Sequence, residues 1–150
     1  MSLIKIRQRL RVDSAYGVSG GISLMNAIPL GAVAATTSFC VFIAPCAGAI
    51  SKCQLVTKDA IAANDTNYWT VTLYDKGSDG SASNKIAEKT TKITGGTGFA
   101  AYDAWDIGTL DTTHRVLAAG DVVLLTLTKT LTATAFAEAM CMLEFLPNVA

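Results

Sequence analysis

Wherever the pattern of this chain is clear, apolar residues recur at every second position, and no long run carries a helical stripe. In Tyr68–Asp75, Trp69, Val71 and Leu73 alternate with Thr70, Thr72 and Tyr74. In Asp121–Leu131, Val123, Leu125, Leu127 and Leu131 alternate with Thr126, Thr128 and Thr130. Near the end, Ala135, Ala137, Ala139, Cys141, Leu143 and Phe145 share one face; Phe136, Glu138, Met140, Met142 and Glu144 share the other. Such segments are half-buried antiparallel strands whose second face is polar or turned to a partner. Ala133–Ala139 is rich in alanine, but the alternation of Glu138, Met140 and Met142 favours strand over helix.

Further strands are expected at Leu3–Val12, Thr37–Ala44, Gly48–Thr57 and around Lys85–Ile93. Turn chemistry separates them: Asn64-Asp65-Thr66-Asn67, Lys76-Gly77-Ser78-Asp79-Gly80, Gly95-Gly96-Thr97-Gly98 and Ala119-Gly120-Asp121. About seven to nine such strands, with a long variable middle from Ser78 to Thr113, predict an all-β fold. The expected form is an antiparallel two-sheet sandwich, jelly-roll-like. One domain spans 1–150, with residues 1–12 as an N-terminal basic strand or arm.

Charge narrows the function classes. Twelve basic residues balance twelve acidic ones, and charged residues are 16% of the chain, against roughly 25% in ordinary soluble domains. Neutrality argues against a general polyanion binder, and so scarce a charge suggests a surface partly covered by neighbours. The apolar span Ile28–Ile50 is broken by Pro29, Gly31, Pro45 and Gly48, which suits short buried strands better than one membrane helix. A basic start and the stretch Ile22–Ala35 imitate a secretory leader, but Asp13 and the long approach to any apolar core argue against one. The expectation is a product of the cytoplasm, with no membrane association. Cys40, Cys46, Cys53 and Cys141 include no CxxC pair, and His114 is the only histidine. Buried reduced thiols are expected, and no metal.

Motifs for catalysis are weak. Gly96-Thr97-Gly98-Phe99-Ala100-Ala101 matches a dinucleotide fingerprint, but the following Tyr102-Asp103-Ala104-Trp105-Asp106-Ile107-Gly108 offers no helix to hold a pyrophosphate. A Gly-rich loop is the expected reading. Asp75, Asp79 and Asn84 lack calcium-loop spacing and read as a hairpin turn. His114 with Asp111 or Asp121 has no nucleophile elbow to serve, and Asp103, Asp106 and Asp111 read as loop residues. The expectation is a non-enzyme without cofactors.

Two binding candidates remain. Ring faces stack on sugar C–H groups, so Tyr102 and Trp105 in the variable loop are candidate glycan-binding residues; Trp69 reads as core. The first strand is the more asymmetric feature: Ile4, Ile6, Leu10 and Val12 face one way, and Lys5, Arg7, Arg9 and Arg11 the other. These four suit carboxylate or phosphate partners, or protect a solvated edge against strand pairing. With no interleaved aromatics, nucleic acid is not the expected partner.

The basic strand, the uncharged Ala/Gly/Thr-rich segment and the apolar strands Phe39–Ile43 and Ile50–Val56 form part of a larger pattern. It continues with Tyr68-Trp69-Thr70-Val71-Thr72-Leu73-Tyr74, Leu117-Ala118-Ala119-Gly120-Asp121-Val122-Val123 and Leu143-Glu144-Phe145-Leu146-Pro147. The whole resembles small jelly-roll structural proteins of tailed bacteriophages, including capsid decoration (cement) proteins. The resemblance implies a virion protein on the capsid surface: a homo-oligomer, typically a trimer, that binds the major capsid protein and braces it. Lys5, Arg7, Arg9 and Arg11 are then the expected contacts to an acidic shell. The alternative is a receptor- or glycan-binding module of a tail or fibre. A cupin-like enzyme is disfavoured by the single histidine.

Overall fold

The computed structural model describes residues 23–147. Their alternating pattern becomes nine strands, with no helix among the described residues: β1 (Leu24–Val33), β2 (Thr37–Ile43), β3 (Gly48–Thr57), β4 (Trp69–Asp75), β5 (Asn84–Thr90), β6 (Trp105–Asp106), β7 (Val116–Leu117), β8 (Val122–Lys129) and β9 (Phe136–Pro147). All pairings are antiparallel, and they are those of one long hairpin rolled over on itself. β1 pairs with β9, β2 with β8, β3 with the short β6 and β7, and β4 with β5. The pairings β3–β9 and β4–β8 close the roll into two sheets. Sheet A has the order β1-β9-β3, with β6 and β7 sharing its far edge; sheet B has the order β2-β8-β4-β5. This is the strand order of a jelly roll, in the two-sheet antiparallel sandwich the alternation predicts.

The core lies between the sheets. Leu55, Cys141, Leu143 and Phe145 of sheet A meet Trp69, Val71, Leu73, Val123, Leu125 and Leu127 of sheet B, all almost fully buried. Each large apolar side chain so buried contributes about 1.5–3 kcal/mol relative to exposure. Rings run from Trp69 to Phe136 (centroids 4.6 Å apart), Phe99 (5.8 Å) and Trp105 (4.7 Å). This row ties the Gly-rich loop to the sandwich.

Bulges reset the period of two. In β3 the register slips between Ile50 and Lys52, so Gly48 and Ile50 before it and Cys53, Leu55 and Thr57 after it are all buried. The displaced Ser51 donates its hydroxyl to the Glu144 carboxylate at 2.8 Å. Between Phe136 and Ala139, β9 takes three steps where β1 takes two, from Val33 back to Gly31. That slip corrects the expected faces: Phe136 is buried beside the core residues, and Ala137 is exposed.

Three other expectations change. β8 ends at Lys129, and Leu131 stands 69% exposed with φ 50°, outside the strand. The strand around Lys85–Ile93 stops at Thr90. β1 was not expected; Pro29 is tolerated there because β1 is an edge strand, where a missing N–H leaves no ladder partner unsatisfied. The predicted strand Leu3–Val12 lies outside the described residues.

Candidate functional site

The outward face of sheet A carries a coherent chemistry. Its residues follow from the register. Met25, Glu144 and Lys52 form one row across β1, β9 and β3; Ala27, Met142 and Gln54 the next; Pro29, Met140 and Val56 the third. Glu138 and Lys58 close it, joined by the Lys58 N–H donating to the Glu138 carbonyl at 3.0 Å. At the other end, Leu146, Ala49 and Val116 form an apolar row. Between the bulges the face alternates with the core: Cys53, Leu55, Cys141 and Leu143 are buried while Lys52, Lys58 and Glu138 are exposed. Between the Glu144–Lys52 row and the Glu138–Lys58 row the face is therefore rich in Met and, apart from Gln54, apolar. Among the described residues, none of Lys52, Lys58, Glu138 and Glu144 forms an intramolecular salt bridge.

Where β3 and β9 leave this face, a cleft of about 430 Å3 opens between Pro29, Val56, Lys58, Tyr102, Glu138 and Met140. Tyr102 is 73% exposed and holds φ 59°, a left-handed conformation that costs a non-glycine residue about 1–2 kcal/mol. Its N–H donates to the Thr57 carbonyl at 2.7 Å, which fixes the ring beside the end of β3.

The outward face of sheet B differs. Ser38, Thr126, Thr72 and Glu88 line up across its four strands. The Ser38 and Thr126 hydroxyls are 2.9 Å apart, and Thr72 donates to Glu88 at 3.2 Å. This row of polar groups is hydrogen-bonded within the sheet.

The residues singled out in the sequence fall in separate places. Lys5, Arg7, Arg9 and Arg11 lie outside the described residues. Trp105 and Tyr102 do not form one sugar platform: Trp105 is 5% exposed, packed edge-on against Phe99 with the Lys89 ammonium 4.5 Å over its ring. A ring closed in this way has no free face for a sugar, so the Trp105 candidate is withdrawn and Tyr102 alone remains on the surface.

The glycine loop is shaped by its own chain. A Cβ on Gly96 would strike the Thr90 carbonyl, and one on Gly98 the Ile61 carbonyl, while Phe99 pairs with Ile61. The glycines permit close backbone approach, and no helix follows. Asp75 accepts from the Gly77 N–H and the Asn84 amide, and Asp79 from Ser81, as in a turn. Asp111 caps a turn by accepting from the Thr113 and His114 N–H groups, with His114 Nδ1 3.3 Å from its carboxylate. These N–H groups, that of His114 foremost, hold the Asp111 carboxyl below its ordinary value. No cluster of three or more His, Cys, Asp or Glu able to hold a metal occurs among the described residues. No helix there is long and apolar enough to cross a membrane.

The cysteines divide. Cys53 and Cys141 are buried as expected, Cys46 is half-buried, and Cys40 is exposed. Cys40 and Phe42 flank a bulge in β2; Val41 is buried and Cys40 turns outward. The paired charges of sheet A were not read as a site from the sequence. The signal was the alternation Glu138, Met140, Met142, Glu144, but its complement on β3 is hidden by the bulge at Ser51.

Compared with family models, curated proteins and solved structures, the chain matches none.

Proposed function

We propose that this chain is a non-enzymatic structural protein that self-associates and binds the outer surface of a phage capsid, stabilising it as a decoration protein. The observation that carries the reading is the outward face of sheet A, largely apolar between two charged rows whose side chains form no ion pair among the described residues. Exposed apolar sheet faces of this kind mark sites of association. The jelly-roll scaffold and the low charge support the same reading, and the resemblance adds the capsid as partner and the trimer as the familiar copy number. A protein that binds only the assembled shell adds to its stability by mass action, and repetition over many copies multiplies the effect. Lys5, Arg7, Arg9 and Arg11 are the proposed contacts to an acidic capsid surface, and the virion surface is the proposed location.

Co-sedimentation with tail-less heads tests this. The protein is expected to pellet with heads and to raise the temperature at which they open. Charge reversal at Arg7 and Arg9 is expected to lower occupancy at physiological salt. Absence from the pellet would end the capsid reading.

A glycan-binding tail or fibre module is the second reading, favoured by the exposed Tyr102 ring beside Lys58 and Glu138 at the cleft. It predicts glycan-array signal that Tyr102→Ala abolishes.

A further inference from the structure

We propose that two copies of this chain pack sheet A against sheet A about a two-fold axis that runs parallel to β9 and β3, midway between them. The inference rests on the self-association in the proposed function, specifies its surface, and gives it two-fold symmetry in place of the trimer that the resemblance implies.

The argument is the placement of charge. On the outward face, Glu144 lies beside Lys52 and Glu138 beside Lys58; both acids are on β9, Lys52 is on β3 and Lys58 directly follows its last residue. Two in-plane two-fold axes can bring such a face onto a copy of itself. An axis across the strands reverses the rows and keeps each strand over its own equivalent, so Glu144 meets Glu138 and Lys52 meets Lys58. That arrangement places like charges together, at a cost of several kcal/mol. An axis along the strands keeps the rows and exchanges the strands. Glu144 then faces Lys52 of the second copy, Glu138 faces Lys58, and the apolar Met140 faces Val56. Every charged row is complementary to itself, as an isologous interface requires.

The same operation is consistent with the other features of the face. Lys52, Lys58, Glu138 and Glu144 lack intramolecular ion pairs among the described residues, where the Glu144 carboxylate accepts the neutral Ser51 hydroxyl and meets no base. Packing of two β-sheets face to face requires apolar centres and tolerates charge at the margins. The central rows meet the first condition with Ala27, Pro29, Met140 and Met142; Gln54 is their one polar member on β3. Asp106, opposite Gln54 on the far edge, stays at the rim. Four strand positions about 4.8 Å wide and five rows about 6.8 Å deep give a face of about 650 Å2 in plan. With side-chain relief this approaches the ~800 Å2 per partner of a specific interface.

Sedimentation equilibrium of the full chain, at a series of concentrations, tests the proposal. Wild type is expected to be a dimer. The double variant Lys52→Glu with Lys58→Glu makes the whole margin acidic and should weaken the dimer by about a hundredfold or more. Glu138→Lys with Glu144→Lys makes it basic and should do the same. All four positions are on the outer surface, and circular dichroism of each variant checks its fold. Mixed in equal amounts, the two double variants should pair with each other, and the fourfold exchange in one chain should restore the homodimer. A trimer indifferent to these exchanges would overturn the two-fold packing while leaving self-association standing. A wild-type monomer at every concentration would overturn both. Loss of the dimer in each double variant without rescue in the mixture would also overturn it.

Discussion

The sulfur atoms of Cys53 and Cys141 lie 3.7 Å apart in the core, with both side chains buried. Cys53 is opposite Leu143 and Cys141 opposite Leu55 in the register of β3 and β9, so the two thiols meet across a diagonal. The hydrogen bond with Cys141, and then burial, push the Cys53 thiol well above its ordinary value of 9.0.

That shift has a sign. The folded chain holds the Cys53 proton at a pH where the unfolded chain has released it, so stability is full below about pH 9 and falls as pH rises toward the folded value. Urea titrations at rising pH are expected to show this decline, and Cys53→Ala to make it shallower. The substitution itself should cost about 1–2 kcal/mol at neutral pH. In the native protein a thiol reagent should modify Cys40 readily and reach Cys53 and Cys141 only on unfolding.

The two tryptophans should respond unequally to loss of the indole nitrogen. Trp69 donates its Nε1 hydrogen to the Thr134 carbonyl at 2.8 Å, and Trp69→Phe removes that bond along with core volume, for about 2–3 kcal/mol. The Trp105 Nε1 is buried with no hydrogen-bond partner. Trp105→Phe removes an unsatisfied donor as well as packing, and the two effects offset to within about 1 kcal/mol. Equilibrium unfolding of both variants reads the difference directly.

Gly98 is expected to be intolerant for reasons of space. A Cβ there meets the Ile61 carbonyl and stands 2.7 Å from the Ala63 nitrogen, both backbone atoms. Gly98→Ala should cost about 2–3 kcal/mol, whereas exposed Thr97→Ala should stay within about 0.5 kcal/mol. Similar losses at both positions would contradict this account of the loop.

Acid should weaken the loops. Asp65, Asp79 and Asp111 are held below the ordinary 3.8, chiefly by the backbone N–H groups of Thr94, Ser81 and His114 respectively. A depressed carboxyl contributes stability above its unfolded value, and that contribution is lost as pH falls through the lower folded value. Thermal melts should therefore drop below about pH 4, and Asp65→Asn or Asp111→Asn should flatten the drop. An unchanged acid limb in both variants would show that these turns do not contribute.

The strands Gly48–Thr57, Trp69–Asp75 and most of β8 were legible in the sequence, because alternation registers directly which face is buried. The two-sheet sandwich followed from their number and from the turns between them. Bulges were not legible, since a single inserted residue such as Ser51 leaves composition unchanged and moves every later side chain to the opposite face. Leu24–Val33 escaped notice because an edge strand of uncharged residues, most of them exposed, has no sharp alternation. Trp105 looked like a surface ring in a loop, and only the packing of Phe99 and Lys89 around it makes it core.

The sequence by itself determined the class of element and, between bulges, the two faces of its clearly alternating strands, because both are set by neighbours two residues away. Which acid stands beside which base on sheet A was decided by the tertiary structure alone. Glu144 and Lys52 are far apart in the chain, and only the rolled hairpin, with its slip between Ile50 and Lys52, sets them in one row.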